Sequence, residues 1–238
     1  MSKNQTIQKI REELKANIDL EYKKSVQRFF KEHVKIYGVR TPVVRQISKK
    51  YFAQVKDLDK NKIFDLCEEF LKSGYGAEAI IAFDWAFRIK TQYKKSDFKI
   101  FESWLKKYVD NWGKCDDFCT HAFGEFLVQC TEFLPRLNAW TASKNRWLRR
   151  ASAVILIYPI KQNKKFLKNI FKIADILLQD QDDLVQKGYG WLLKETSNLY
   201  QKQVFDYVMS RKNKMPRTAL RYAIEKMPAK MKKQAMAK

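Results

Sequence analysis

Glycine and proline are scarce in this chain, and their scarcity restricts the folds that it can form. The 238 residues include 7 glycines and 5 prolines. An all-β domain needs many Gly and Pro residues in its turns, whereas long helices joined by short turns do not. Hydrophobic residues make up 45% of the sequence, which is enough for a packed core and too many for a disordered basic tail. The composition therefore predicts a folded, helical protein.

Apolar residues recur at helical spacing along almost the whole sequence, starting with Ile7, Ile10 and Leu14. Thr41 and Pro42 fit the N-cap and first position of a further helix. No stretch alternates apolar and polar residues long enough to indicate a sheet. The spacing predicts further helices over residues 20–36, 61–72, 77–93, 96–109, 112–130, 133–142, 146–158, 164–179, 183–199, 201–211 and 216–224.

Helix pairs with short connectors favour an all-α fold of the solenoid type, with stacked antiparallel HEAT-like pairs of about 40–47 residues each. We expect one domain over residues 1–238, with a basic C-terminal tail from about residue 229. Stacking of this kind makes a concave surface, which we expect to be basic. A compact helical bundle is the structural alternative.

The charge balance points to a polyanionic partner. Lysine and arginine number 48 against 26 acidic residues, for a net charge of +22 and a pI near 9.8. Such an excess strains the folded state by self-repulsion unless a polyanion binds. The sequence contains no apolar run long enough to span a bilayer and no signal peptide. Nucleic acid is therefore favoured over a membrane surface.

The four cysteines, Cys67, Cys115, Cys119 and Cys130, are expected to be thiols in a reducing compartment. The cluster that Cys115 and Cys119 form with His121 suggests zinc. However, there is no CxxC pair and no second ligand pair at a suitable spacing. Packing between helices is the favoured role for these cysteines, and we predict no metal site and no cofactor.

The window NWGKCDDFCTHAFG at residues 111–124 contains the most concentrated chemistry in the chain. In a helix, Trp112 and Asp116 share one face because they are four residues apart. An indole beside a carboxylate suits a positively charged carbon. The alternative is a core tryptophan followed by a solvated aspartate, and this window alone slightly favours that alternative.

Two further windows combine tryptophan with basic residues. In SKNRWLRRASAV, Arg150 lies three residues after Trp147, and an arginine here either clamps a phosphate or is solvated. In DDLVQKGYGWLLKETS, Trp191 follows two glycines that indicate close approach by another helix or by a ligand. The C-terminal window MPRTALRYAIEKMPAKMKKQAMAK is also basic, and its last lysines either contact phosphates or are solvated. The candidate DNA contacts in the three windows are Arg146, Arg149, Arg150, Lys187, Lys194, Arg217 and Arg221.

Four elements in order resemble those of the AlkD family of DNA alkylation-repair glycosylases, over about residues 22–228. Trp112 and Asp116 match the family's Trp and Asp, which are four residues apart. WLRR, which ends at Arg150, matches its Trp-Leu-x-Arg element. Its QKxxGW element is met by QKGYGW, which ends at Trp191, and YGVRTPVVRQISK resembles its FxGVxxPxxR element. Gly113 departs from the acidic residue that is common in the family, and only spacing distinguishes Asp116 from Asp117.

The resemblance implies a HEAT-like fold and excision of cationic N3-alkyladenine and N7-alkylguanine from duplex DNA, in base excision repair. It assigns catalysis to Asp116, Trp112 and Trp191, with the lesion kept in or near the base stack. We expect a cytoplasmic monomer that associates with the nucleoid when bound to DNA. The alternatives are a non-catalytic HEAT-repeat binder of structured DNA or RNA, and a helical scaffold for acidic proteins.

Overall fold

The computed structural model describes residues 3–162 and 164–237, and over these residues the chain is helical with no β-strand. The prediction of an all-α fold is confirmed. The helices are α1 (Lys3–Ala16), α2 (Leu20–Gln27), α3 (Thr41–Val55), α4 (Lys60–Lys72), α5 (Gly76–Arg88), α6 (Phe98–Tyr108), α7 (Trp112–Thr120), α8 (Ala122–Gln129), α9 (Leu134–Thr141), α10 (Arg146–Val154), α11 (Ile157–Gln162), α12 (Leu167–Ile176), α13 (Asp183–Ser197), α14 (Gln201–Arg211), α15 (Arg217–Ala223) and α16 (Ala229–Met236).

The three helices that carry the candidate catalytic residues and Arg150 all begin at a side-chain cap. Asn111 accepts a hydrogen bond from the backbone N–H of Lys114 at the start of α7. Asn145 caps α10 and Asp182 caps α13 in the same way. Each cap satisfies a backbone donor that has no partner within the helix. The start of each helix, and so the position of its site residue, is fixed locally by the sequence.

The chain divides into two compact units, one ending at Ala122 and the other beginning at Phe123. In the first unit, α5 packs against α3, α4 and α7. Its core is rich in aromatic rings, with Trp85, Phe101 and Trp104 fully buried. Phe118 of α7 stacks on Phe83 of α5 with ring centroids 4.5 Å apart. This contact attaches α7 to the core of the first unit.

In the second unit, α13 is the central helix, and it packs against α10, α12, α14 and α15. A Cβ atom added at Gly190 would lie 2.7 Å from Cβ of Tyr222 and 2.9 Å from the carbonyl oxygen of Ala219. The glycine therefore lets α15 approach the backbone of α13 closely. Of the two explanations for the glycines in this helix, contact with a neighbouring helix is the one seen at this position.

Several predicted helix boundaries are wrong. The helix predicted over residues 77–93 ends at Arg88, and the helix predicted over residues 146–158 ends at Val154, after which α11 begins at Ile157. The helix predicted over residues 20–36 ends at Gln27, and no regular helix forms between there and Thr41. Gly38 in this segment has φ +92°, which the right-handed helix excludes. The helix predicted over residues 112–130 is broken at His121, whose φ of −128° and ψ of −98° separate α7 from α8.

The basic tail predicted from residue 229 is also structured, because it forms α16. The side chain of Lys212 donates to the carbonyl oxygens of Gln234 and Ala237, so α14 and α16 are joined near the end of the chain. Across the described ranges, no helix combines the length and the apolar character that are needed to cross a bilayer. The HEAT-like stacking and the basic concave surface stay predictions.

Candidate functional site

Trp112 is the first residue of α7, and two residues of the segment after α2 hold its indole ring. The ring stacks on Phe30, with centroids 4.9 Å apart and planes 16° from parallel. Its Nε1 donates to the carbonyl oxygen of Phe29 over 3.4 Å. The side chain stays partly exposed. Trp112 is therefore neither a buried core anchor nor a freely rotating surface residue.

The adjacent carboxylates Asp116 and Asp117 have different surroundings. Asp116 is partly buried one helical turn after Trp112, on the same face of α7. Oδ1 of Asp117 accepts a hydrogen bond from Nη2 of Arg45 and lies 3.3 Å from Nδ1 of His121. The hydrogen bond with Asp117 raises the pKa of His121. Asp117 therefore joins α7 to α3.

A cavity of about 400 Å³ lies within the first unit, next to Trp112. Its wall is mostly aromatic and aliphatic, and Asp117 contributes a carboxylate to it. Its ring-bearing lining residues are Tyr22, Phe29, Phe30, Tyr37, Phe83 and Trp112. One face of α7 thus borders an apolar cavity.

Arg150 lies on α10 and is buried, with 5% of its surface exposed. Its Nη1 donates to the carbonyl oxygen of Leu184 in the first turn of α13. A Cβ atom at Gly188 would be 3.1 Å from Cγ of Arg150. Gly188 therefore leaves room for Arg150, which is a residue of the predicted site, at the interface between α10 and α13.

Trp191 is partly exposed on α13, where its Nε1 donates to Oε1 of Glu195 over 3.1 Å. Glu195 also forms an ion pair with Lys161, at 3.0 Å. The hydrogen bond between Trp191 and Glu195 connects residues one turn apart on α13. It orients the indole of Trp191 on the surface of the second unit.

Four of the predicted DNA contacts form ion pairs within the protein. Arg146 pairs with Asp182 and Arg149 pairs with Asp180, each at 2.8 Å. Lys187 and Lys194 pair with carboxylates at 3.1 and 3.2 Å. By contrast, the described chain provides no carboxylate partner for the exposed arginines of α15, which are Arg217 and Arg221.

The cysteines are free thiols, and all four are buried. Their burial agrees with the predicted role in packing between helices. Within the described ranges, no group of three or more His, Cys, Asp or Glu residues is arranged to hold a metal ion.

Sequence reasoning assigned no role to two residues that shape this site. Arg45, which binds Asp117, is the residue of YGVRTPVVRQISK that matches the final arginine of FxGVxxPxxR, so the signal was present in the sequence. Phe30, which stacks on Trp112, gave no signal because it fitted the apolar spacing of a predicted helix. The structure thus adds one ion-pair partner and one stacking partner to α7.

Comparison with known proteins identifies the family. The family described as DNA alkylation repair enzyme matches residues 10–227. The fold is similar to a solved structure described as a predicted DNA alkylation repair enzyme from Enterococcus faecalis, with a TM-score of 0.77 and 15% sequence identity. That similarity covers 90% of this chain and 98% of the other, and at such low identity it concerns the fold alone. No curated protein sequence matches this chain. Because the family match spans most of the sequence, this chain belongs to the family of DNA alkylation repair enzymes.

Proposed function

We propose that the protein is a monofunctional DNA glycosylase that removes cationic N3-alkyladenine and N7-alkylguanine from duplex DNA. The observation that carries the proposal is the arrangement on α7. Trp112 and Asp116 share one face, while the neighbouring Asp117 is bound by Arg45 and His121. Asp117 therefore has a structural role, which supports giving the catalytic role to Asp116.

The substrate's own charge determines what the enzyme has to supply. A purine alkylated at N3 or N7 is cationic, so it leaves as a neutral base and needs no strong general acid. As the bond from C1′ to the purine nitrogen breaks, its electron pair goes to the base and the deoxyribose acquires oxocarbenium character. Water then forms the new bond to C1′ and loses a proton. The carboxylate of Asp116 stabilises the positive sugar and positions this water.

The tryptophans and the basic residues have supporting roles in this proposal. Trp112 and Trp191 present electron-rich faces to the sugar and its developing charge. Arg150 holds a backbone phosphate, and its hydrogen bond to Leu184 sets the guanidinium in place before DNA binds. The lesion stays in or near the stack, since the contacts are to sugar and backbone. Further phosphate contacts come from Arg146, Arg149, Lys187, Lys194, Arg217 and Arg221.

Single-turnover release of 3-methyladenine and 7-methylguanine from methylated duplex DNA tests this function. The wild-type protein should release both bases. Asp116→Asn keeps the shape of the side chain but removes its charge, so the rate should fall by about 10²–10³ or more while DNA affinity hardly changes. If the wild-type protein binds DNA but releases no base, a non-catalytic DNA binder is the better account.

A further inference from the structure

We infer that residues 23–35 form a second DNA-binding surface, in which Lys23, Lys24 and Arg28 contact phosphates and Phe29 packs against a base step. This surface lies beside Trp112, so the inference extends the proposed function by naming how the duplex is held next to the catalytic helix. Its DNA-binding part can be measured on undamaged duplex, independently of base excision.

The charge of this segment fits a polyanion. Residues 23–35 contain five lysines and arginines and a single acidic residue, Glu32. Lys23, Lys24, Arg28 and Lys35 are exposed, and no carboxylate in the described ranges pairs with them. A cation without an internal partner can neutralise a phosphate and release its counterion without first breaking an ion pair. Each of these residues can therefore contribute more to the free energy of DNA binding than a lysine or arginine that already has an ion-pair partner.

The paired residues of α10 and α13 make the contrast clear. Arg146 and Arg149 each form an ion pair at 2.8 Å with a carboxylate of the same unit. To bind phosphate, they must exchange that carboxylate for another anion, and the net gain is smaller. The spacing of basic residues in the sequence singled out α10 and α13, but the ion pairs there favour residues 23–35, which span the end of α2 and the chain after it, as the source of unpaired charge.

Phe29 adds a flat apolar group to this charged surface. Its side chain is 72% exposed, more than any other large apolar side chain in the described ranges. The carbonyl oxygen of Phe29 accepts from Nε1 of Trp112, and the next ring, Phe30, stacks on Trp112. Exposing an aromatic ring to water is unfavourable, and packing it against a base removes that cost. Its backbone attachment keeps the ring close to the proposed catalytic tryptophan.

The residues that flank residues 23–35 are joined to each other, which restrains the segment before any ligand binds. Asp19 caps α2 by accepting from the backbone N–H of Tyr22. The backbone N–H of Asp19 donates to the carbonyl oxygen of Gly38 over 2.9 Å, and its carboxylate pairs with Arg40. These interactions close the segment into a loop. A surface that is ordered in advance loses less entropy on binding.

The salt dependence of binding to undamaged duplex tests the phosphate contacts. The slope of log affinity against log salt changes by about 0.9 for each phosphate that the protein no longer neutralises. The double substitution Lys24→Gln and Arg28→Gln should therefore reduce the slope by about 2. Lys62→Gln with Lys99→Gln removes the same charge from exposed positions on α4 and α6 and should leave the slope nearly unchanged. An equal change in both double variants would mean that net charge alone acts, and would overturn the inference.

The interaction of Phe29 with a base needs its own test. Phe29→Ala should weaken binding to the same duplex about 5- to 20-fold, as expected when one aromatic ring no longer packs on a base. Phe29→Trp should restore binding, and Leu199→Ala, which removes another exposed apolar side chain, should have little effect. A 2-aminopurine in the duplex should change its fluorescence on binding wild type but not Phe29→Ala. Identical fluorescence changes with wild type and Phe29→Ala would overturn the base contact.

Because these measurements use DNA without a lesion, they separate the two proposals. If the salt slope and the fluorescence behave as expected but no methylated base is released, the surface stands and the glycosylase proposal fails. If bases are released normally and Phe29→Ala binds like wild type, the glycosylase proposal stands and the surface fails.

Discussion

Arg150 of α10 lies against Gly188 of α13. A Cβ atom added at residue 188 would be 3.1 Å from Cγ of Arg150 and 3.4 Å from its Nη1. The glycine therefore borders both the stem and the guanidinium of the arginine. Its neighbours at this point are side-chain atoms, which can move, whereas those of Gly190 include the backbone of α15.

Gly188→Ala should thus displace the guanidinium of Arg150 while leaving the unit folded. Alanine also favours the helix by about 1 kcal/mol, which offsets part of the crowding. We expect DNA affinity and excision to fall about 10-fold, as for a misplaced clamp. Fluorescence anisotropy with labelled duplex measures the affinity. Wild-type affinity in this variant would show that the position of Arg150 does not matter for binding.

Gly190→Ala should instead destabilise the protein. The new methyl group would meet Cβ of Tyr222 at 2.7 Å and the carbonyl oxygen of Ala219 at 2.9 Å, so α15 must shift. Overpacking of this kind costs about 1–3 kcal/mol. In urea unfolding, its midpoint should fall well below that of Gly188→Ala, which is the matched control. Equal midpoints would contradict the close approach of α15 to α13.

Asp117→Asn should separate structure from catalysis on α7. It removes the charge that binds Arg45 and His121, at a cost of about 1–3 kcal/mol in unfolding free energy. Excision per folded molecule should stay near wild type, whereas Asp116→Asn should lose excision per folded molecule. Single-turnover rates and urea unfolding of both variants give the comparison. The reverse pattern would move the catalytic role to Asp117.

His121 should make stability depend on pH. The hydrogen bond with Asp117 raises the pKa of His121 in the folded state above its ordinary value of 6.5. The protonated form is therefore favoured by folding, so its stabilisation is fully present below about pH 6.5 and is lost as pH rises through the folded value. Unfolding midpoints measured from pH 5.5 to 8.5 should show this loss in wild type. The pH-dependent loss of stability should disappear in His121→Gln. If it persists in that variant, another titrating group causes it.

Sequence patterns predicted the helix bounds well where the apolar face of the helix packs along its whole length into one core. α14 has the predicted bounds, and α13 differs only at its end. The prediction fails over residues 28–36 because Phe29 and Phe30 are apolar for another reason. They contact Trp112, which is 83 positions after Phe29 in the sequence. Helical periodicity cannot distinguish residues that make such a distant contact from residues on the buried face of a helix.

Candidate site residues could be chosen by type and spacing, but their partners could not. Arg149 has the residue type that binds phosphate, yet its ion pair with Asp180 joins positions 31 apart and depends on the fold. The same holds for Asp117, whose partner Arg45 is 72 positions away. Spacing alone favoured Asp116 over Asp117, and only the ion pair provides a physical reason for that choice.

The burial of the thiols has a consequence for the chemical environment in which such a protein works. Agents that alkylate DNA also alkylate sulfur, and the thiolate is the form that attacks them. All four cysteines are buried, and burial raises the pKa of Cys67, so this thiol stays protonated and inaccessible in the folded state. The native fold therefore shields its four thiols from the electrophiles whose damage to DNA the family repairs, and unfolding would expose these thiols to alkylation.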